Sequence, residues 1–169
     1  MNLLILLLIA VSFTLGYRVK TYIGGIGDSK WIDSVTGLPN RADFERAIAV
    51  GLKTRSKLGL IIIDLDNFKS VNDTQGHLVG DSILRAAASQ MLQCTADRGT
   101  LFRWGGDEFV LLVPNGEERL DDLCRDIKND FAAADFELTC STGHASQLAG
   151  DTPATFFQRA DQSLYLNKS

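Results

Sequence analysis

A continuous apolar run, LGLIII at residues 58–63, most constrains how this chain can fold. Its residues lack the alternation of apolar and polar side chains that marks a half-exposed strand, so the run predicts a short strand buried on both faces. The chain has 169 residues, 45% of them hydrophobic. This is enough for one hydrophobic core and hardly for two, so we expect one globular domain with a short additional segment.

Helical and strand patterns alternate along the rest of the chain. Apolar residues at helical spacing predict helices over residues 41–55, 80–93, 121–131 and 152–167. Short segments typical of strands cover residues 100–104, 109–113 and 136–145. Without the first and last helices the order is β-α-β-β-α-β, the ferredoxin-like order, in which an antiparallel four-stranded sheet carries helices on one face. The predicted fold class is α+β, with a ferredoxin-like βαββαβ core and flanking helices, and this layout alone assigns no function.

The N-terminal segment is apolar, and residues 1–17 contain no charged side chain. A membrane-spanning helix needs about 20 residues and at least about 17, so the segment predicts an uncleaved hydrophobic membrane helix. A cleaved signal peptide is the alternative, but the segment has neither a positive n-region nor an A-x-A-like cleavage site. Arg18 and Lys20 follow, and the positive-inside rule then places the remainder in the cytoplasm. We predict an anchor over residues 1–17, a juxtamembrane linker over 18–32 and a globular domain over 33–169.

Charge and cysteine content exclude some classes of partner. The net charge is −4, which argues against binding of a nucleic-acid polymer, because such polymers are held mainly by clusters of lysine and arginine. A small anionic ligand stays possible, since a few basic groups and a metal ion can bind it locally. Cys94, Cys124 and Cys140 are odd in number, widely spaced and without a CxxC motif. They predict neither a disulfide framework nor a zinc site, and a reducing compartment fits best.

Acidic residues lie where two predicted strands end. Asp64 and Asp66 close the first strand, where alternation turns both side chains the same way, and Asp107 and Glu108 follow two glycines in a hairpin turn. If the first strand pairs with the hairpin in the middle of the sheet, both groups converge on one point. Convergent carboxylates repel each other unless a cation lies between them, and oxygen ligands favour Mg²⁺ or Mn²⁺ over zinc. A solvated strand end and an ordinary hairpin turn are the alternative interpretation.

Residues 67–73, NFKSVND, are predicted to form a loop after the first strand. Free backbone N–H groups and Lys69 in such a loop can cradle a phosphate group. The pattern has low specificity by itself, because an exposed lysine is usually a solvated charge.

Four sequence blocks follow one another along the chain: DSVTGLPNR at 33–41, DLDNFKSVNDTQGHLVGD at 64–81, RWGGDEF at 103–109 and ADQSLYLNK at 160–168. Together they resemble the GGDEF domain family of diguanylate cyclases, and RWGGDEF is similar to that family's signature. The resemblance covers the chain from about residue 31 to its end and implies a palm-like catalytic domain. It implies an enzyme that condenses two GTP into cyclic di-GMP and two pyrophosphates with Mg²⁺, or Mn²⁺. It also implies a homodimer with one GTP per subunit, which the predicted N-terminal anchor would place at the inner (cytoplasmic) membrane.

The resemblance implies a metal site and a catalytic group. The carboxylates of Asp64 and Asp107 and the backbone carbonyl of Leu65 would ligate Mg²⁺. Glu108 would act at the reacting 3′-hydroxyl group or assist with a second ion.

The resemblance also implies contacts to the triphosphate. Lys69 and the backbone N–H groups of Asn67 and Phe68 would hold the β- and γ-phosphates and stabilise the charge that develops there. Lys168 is a further possible phosphate contact. The family usually continues to a phosphate-contacting arginine that this sequence does not contain, so either GTP binding is weaker or the sequence is truncated.

The guanine base would be recognised by Asn72 and Asp81. A carboxylate can accept from N1–H and N2–H₂ of guanine, and an amide can both donate and accept. Adenine would leave these groups unpaired. His77 lies in the same block and would contact the ribose or base, with a packed structural histidine as the alternative; His144 is interpreted as structural.

A second departure from the family concerns its inhibitory RxxD motif. Ala96 and Gly99 occupy the positions of its arginine and aspartate, so we expect little high-affinity product inhibition. Two other functions stay open. A catalytically inert GGDEF module would bind GTP or a protein partner, although degenerate members usually lose a signature position that Asp107 or Glu108 fills here. A transferase making another cyclic nucleotide is the second, and a product screen with GTP and ATP separates these two cases. A membrane peptide fused to a purely structural domain is a third alternative, which the clustered acidic residues argue against.

Overall fold

The computed structural model describes residues 29–54, 57–116, 119–134 and 138–168. The chain divides into two compact units, residues 1–31 and 32–169. The membrane anchor predicted over residues 1–17 and most of the predicted linker lie outside the described residues. Within the described ranges, no helix combines the length and the apolar character that crossing a membrane requires.

Four strands form one antiparallel sheet in the order β2-β3-β1-β4. The strands are β1 (Gly59–Leu65), β2 (Thr100–Gly105), β3 (Glu108–Val113) and β4 (Cys140–Ser146). The central strand β1 pairs with β3 on one side and with β4 on the other, and residues 59–63 are buried throughout. The doubly buried strand and the antiparallel βαββαβ sheet are thus confirmed. β1 continues through Asp64 and Leu65, beyond the predicted end.

Helices cover both faces of the sheet. They are α1 (Arg41–Thr54), α2 (Phe68–Gln75), α3 (His77–Cys94), α4 (Leu120–Ala132) and α5 (Pro153–Asn167). Ile61 and Ile63 of β1 pack with α3 and α4, the helices of the βαββαβ core. Leu60 and Ile62 pack with α1 and α5 on the opposite face. The helices of the βαββαβ core thus lie on one face of the sheet, as predicted, and the flanking helices α1 and α5 cover the other face. Because both faces are covered, β1 has no polar face.

The predicted loop at residues 67–73 is wrong, because most of this segment forms helix α2. Asn67 precedes the helix with φ 59° and ψ 17°, a left-handed conformation that asparagine tolerates better than most residues. Phe68 is the buried residue of α2, and Val71 packs partly against the same core. Gly76, at φ 85°, separates α2 from α3. With eight residues and one buried side chain, this helix is too short for a repeating apolar pattern to identify it.

Helix α5 lies directly on the backbone of β4 at Gly143. A Cβ atom at this position would lie 2.0 Å from the Leu164 nitrogen and 2.6 Å from the Ala160 carbonyl oxygen, so only glycine allows the approach. Thr152 caps the start of the helix, and its side chain accepts from the Thr155 N–H. This docking fixes the C-terminal end of α5 beside the sheet.

Candidate active site

The strand register brings the two predicted acidic groups together. Asp64, the penultimate residue of β1, lies directly opposite Glu108, the first residue of β3. The Leu65 N–H donates to the Asp107 carbonyl oxygen at 3.2 Å. Asp64, Asp107 and Glu108 therefore lie at one end of the paired central strands, as the sequence predicted.

The hairpin turn that carries Asp107 and Glu108 is open on its outer side. Gly106 has φ 52°, and a Cβ atom there would meet no other atom within 4 Å. The space above the turn can therefore receive a ligand without displacing protein atoms.

Arg103 connects this turn to the loop that contains Asp33. Its guanidinium donates to the Gly106 carbonyl oxygen at 2.6 Å and to Asp33 Oδ1 at 2.9 Å. Asp33 also accepts from the Thr36 N–H and hydroxyl. Burial opposes ionisation of Asp33, but these hydrogen bonds and the arginine outweigh it and lower the pKa of the carboxyl group. The sequence interpretation gave Arg103 and Asp33 no role, although an arginine two residues before a double glycine was an available signal.

An open pocket of about 480 Å³ lies between this turn and the start of helix α1. None of the predicted catalytic, metal or substrate residues lines it. Its walls include Arg41, Trp104 and both glycines of the turn, and the Arg41 guanidinium lies 4.2 Å from the centre of the Trp104 ring. The predicted site residues therefore lie outside this pocket.

Lys168 contributes a positive charge to the acidic site. Its Nζ lies 2.8 Å from Asp64 Oδ2. Burial raises the pKa of Asp64; Lys168 lowers it, while Asp107 and Asp66 raise it further. Burial also raises the pKa of Glu108, to which Asp64 and Asp107 add and which Lys168 opposes. The site is crowded with negative charge that one ammonium group compensates incompletely.

These donors suit a hard divalent cation. Two carboxylates and the Leu65 carbonyl oxygen form a set of oxygen ligands, and additional positive charge would relieve their crowding. In the part of the chain that the structure describes, no three histidine, cysteine, aspartate or glutamate side chains form a metal-binding cluster by themselves. The predicted set has only two acidic side chains, Asp64 and Asp107, so it depends on a backbone oxygen and on oxygens from a ligand.

Asp66 is held away from this set. It lies one residue beyond β1, so strand alternation no longer fixes its direction. Its two carboxylate oxygens accept from the Thr139 hydroxyl at 2.6 Å and from the Ser141 hydroxyl at 2.7 Å. Asp66 therefore fastens the end of β1 to the β4 side of the sheet.

The predicted phosphate-binding residues lie at the N-terminus of α2. The Asn67 side chain makes no capping hydrogen bond to the helix, and Lys69 is exposed in the first turn. The N–H groups of a first helical turn have no partner within the helix and can bind an anion. This arrangement is compatible with the predicted roles of Asn67, Phe68 and Lys69.

The predicted base-reading residues lie on adjacent helices. Asn72 of α2 packs against Gly80 of α3, where an added Cβ atom would lie 2.0 Å from Asn72 Oδ1. Asp81 is the next residue and is half-buried, whereas His77 is exposed at the start of α3. Gly80 was not among the predicted site residues, yet any side chain there would overlap Asn72, and Asp81 is the next residue of α3.

Fold and site together define an α+β domain with a ferredoxin-like core and an acidic hairpin site. The chain belongs to the GGDEF family, because residues 30–169 match the family model described as "Diguanylate cyclase, GGDEF domain".

Relatives and solved structures support this assignment. The diguanylate cyclase VdcA of Vibrio cholerae is 31% identical over 163 residues, which cover 90% of this chain and 48% of VdcA. The cyclic di-GMP phosphodiesterase PdeR of Escherichia coli is 36% identical over 80% of this chain and 22% of its own length. The chain thus spans about half or less of these curated relatives. The coiled coil and GGDEF domain of DgcB from Caulobacter crescentus, in complex with c-di-GMP, has a TM-score of 0.72 and 26% identity, covering 95% of this chain and 92% of DgcB.

Proposed function

We propose that this chain is a diguanylate cyclase that condenses two GTP molecules into cyclic di-GMP and two pyrophosphates. The observation that carries the proposal is the cross-strand pair of Asp64 and Glu108, with Asp107 alongside and the N-terminus of α2 two residues beyond β1. Acidic oxygens and anion-binding N–H groups then lie close together in the chain and in space. Such a combination suits a nucleotide triphosphate with a divalent cation.

The reaction would use two subunits that face each other, each holding one GTP. The 3′-oxygen of one nucleotide attacks the α-phosphorus of the other, the bond to pyrophosphate breaks, and the 3′-hydroxyl loses its proton. A second, identical step closes the ring and releases the second pyrophosphate. An isolated subunit holds half of the reactants, so activity would require a homodimer.

The residues have separate tasks in this mechanism. Asp64, Asp107 and the Leu65 carbonyl oxygen would hold Mg²⁺, which when bound would neutralise charge on the phosphates. Glu108 would position the 3′-hydroxyl group and accept its proton, or assist with a second ion. Lys69 and the first turn of α2 would hold the β- and γ-phosphates.

Guanine would be read by Asn72 and Asp81, and this leads to a prediction. A Gly80→Ala substitution inserts a Cβ atom into the position of Asn72 Oδ1. We expect the variant to bind GTP about tenfold more weakly in a titration, close to the loss of one good hydrogen bond. Gly51→Ala is the matched control, since its Cβ atom would meet only a flexible Leu58 methyl carbon at 2.8 Å. Equal GTP affinity in the two variants would count against Asn72 as a base contact.

The same proposal includes weak product inhibition. Ala96 and Gly99 stand at the positions of the RxxD motif, and nearby Arg98 is paired with Asp126 at 2.6 Å. A Cβ atom at Gly99 would lie 2.6 Å from the Leu112 carbonyl oxygen, so the backbone here leaves no room for an aspartate.

We also propose that residues 1–17 anchor the chain in the inner (cytoplasmic) membrane, with the catalytic domain over residues 33–169 in the cytoplasm. The apolar, uncharged composition of this segment and the positive charges of Arg18 and Lys20 support the proposal. Two anchored copies would be concentrated in one plane, which favours the homodimer.

A catalytically inert GGDEF module is the second candidate function. The observation in its favour is the similarity to PdeR, a relative named a phosphodiesterase. Such a module would bind GTP or a protein partner and release no product.

One experiment separates the two functions. The full chain, purified in detergent, is incubated with Mg²⁺ and either GTP or ATP, and the products are identified by mass. We expect cyclic di-GMP when the substrate is GTP and no cyclic dinucleotide when it is ATP. An Asp107→Ala variant should form no product from either nucleotide. GTP binding without any product, in the dimeric protein, would instead establish the inert module.

A further inference from the structure

The ion pair between Lys168 and Asp64 joins the end of α5 to the end of β1. The Lys168 Nζ lies 2.8 Å from Asp64 Oδ2, and the lysine side chain retains 39% of its exposure whereas the aspartate retains 13%. The ammonium group is thus paired with a carboxylate that the proposed metal site would use as a ligand.

The backbone under this lysine is fixed by the packing of α5. The Lys168 N–H donates to the Leu164 carbonyl oxygen at 3.1 Å, and the Asn167 side-chain amide donates to the Thr142 carbonyl oxygen at 3.0 Å. Close contact between Gly143 and Leu164 holds the same turn against β4. The ammonium group, by contrast, is carried on a flexible four-carbon stem and can change partners without movement of the helix.

Lys168 supplies charge that a metal ion would also supply. Asp64 faces Glu108 across the strands, and Asp107 adds a like charge to both. A divalent ion on Asp64 would lie about 2 Å from the carboxylate oxygen, within a few ångströms of an ammonium group still bound there. The two cations would repel each other strongly at that distance, so they compete for Asp64.

We propose that Lys168 is an exchangeable internal counter-ion of the metal site. It pairs with Asp64 while the metal is absent, and it moves to phosphate oxygens when metal and nucleotide enter together. This inference rests on the proposed function, because it takes Asp64 as the metal ligand. Its consequence is coupling: metal alone must displace the ammonium group, whereas metal with a triphosphate gives that group a new anionic partner. Such coupling is reciprocal, so nucleotide strengthens metal binding and metal strengthens nucleotide binding.

The test measures Mn²⁺ affinity rather than turnover. Mn²⁺ is titrated into the full chain in detergent, with free Mn²⁺ followed by electron paramagnetic resonance, both without nucleotide and with 3′-deoxy-GTP. This analogue lacks the attacking hydroxyl group, so it is not consumed. The variants are Lys168→Met and Lys168→Gln, which remove the charge, and Lys168→Arg, which keeps it.

We expect the two neutral variants to bind Mn²⁺ alone about fivefold more tightly than the parent, the factor that corresponds to a partly exposed ion pair. The gain in Mn²⁺ affinity from 3′-deoxy-GTP should shrink by a similar factor, and Lys168→Arg should resemble the parent. Unfolding of the site would weaken metal binding, so tighter binding in a variant that keeps the parent's unfolding midpoint reports removal of the lysine charge. Unchanged or weaker Mn²⁺ binding in both neutral variants overturns the exchange. A parent chain that binds no Mn²⁺ even with 3′-deoxy-GTP would instead overturn the proposed metal site itself.

Discussion

Replacing Asp64 by asparagine should reduce the rate of cyclic di-GMP formation by at least about a thousandfold. Asparagine keeps the size of the side chain and removes its charge, so the β1–β3 pairing opposite Glu108 should persist. What is lost is an anionic ligand for the metal and the partner of Lys168. The measurement is the initial rate at saturating GTP and Mg²⁺, with the unfolding midpoint recorded for each protein.

Asp66→Asn is the matched control for this substitution. Asp66 lies two residues further along the chain, but its carboxylate accepts from the Thr139 and Ser141 hydroxyl groups instead of facing the metal site. An asparagine there keeps one acceptor oxygen, and we expect less than a tenfold loss of rate, comparable to one altered neutral hydrogen bond. Equal losses in the two variants would contradict the assignment of Asp64 as ligand and of Asp66 as a structural fastener.

The fold was predictable where apolar spacing is strong. The run at 58–63 predicted the central strand because nearly every side chain in it is buried, and the helix around Phe156, Ala160 and Leu164 followed from their spacing. Helix α2 was not predictable in the same way, since Phe68 is its one buried residue and its start depends on the left-handed backbone of Asn67. Local backbone geometry of this kind leaves almost no trace in hydrophobic periodicity.

The site was predictable to the extent that strand register determines it. Asp64 and Glu108 meet because both stand at strand ends that pair in the middle of the sheet. The partner of Lys168 was not predictable, because it depends on where α5 lies on β4. The role of Gly80 was hidden for a similar reason: the need for a glycine appears only when α2 and α3 are packed and Asn72 occupies the space of a Cβ atom.

A Gly143→Ala substitution should strongly reduce the stability of the domain, because helix α5 packs directly on the backbone at this position. The new Cβ atom would lie 2.0 Å and 2.4 Å from the nitrogen and Cα atoms of Leu164, and 2.6 Å from the Ala160 carbonyl oxygen. All of these are backbone atoms, so a side-chain rotation cannot relieve the overlap. We expect the free energy of unfolding to fall by about 3 kcal/mol or more, at or above the upper end for overpacked cores.

Gly150→Ala is the control that separates steric overlap from backbone conformation. Gly150 has φ 85° and no atom within 4 Å of an added Cβ atom, so its substitution should cost about 1–2 kcal/mol through the left-handed conformation alone. Urea unfolding of both variants can be followed by tryptophan fluorescence, since the Trp104 ring stacks on Phe157 of α5 at 4.4 Å. A smaller loss for Gly143→Ala than for Gly150→Ala would contradict the close docking.

The same substitution links packing to the active site. If the overlap moves α5 away from β4, it moves the backbone that carries Lys168, because the Asn167 contact to Thr142 lies in the same turn. Gly143→Ala should then resemble Lys168→Met in its tighter binding of Mn²⁺ alone, although Gly143 itself touches no ligand. Gly150→Ala, which leaves that turn in place, should keep the metal affinity of the parent. A folded Gly143→Ala protein with the parent's Mn²⁺ affinity would show that the lysine reaches Asp64 independently of the helix position.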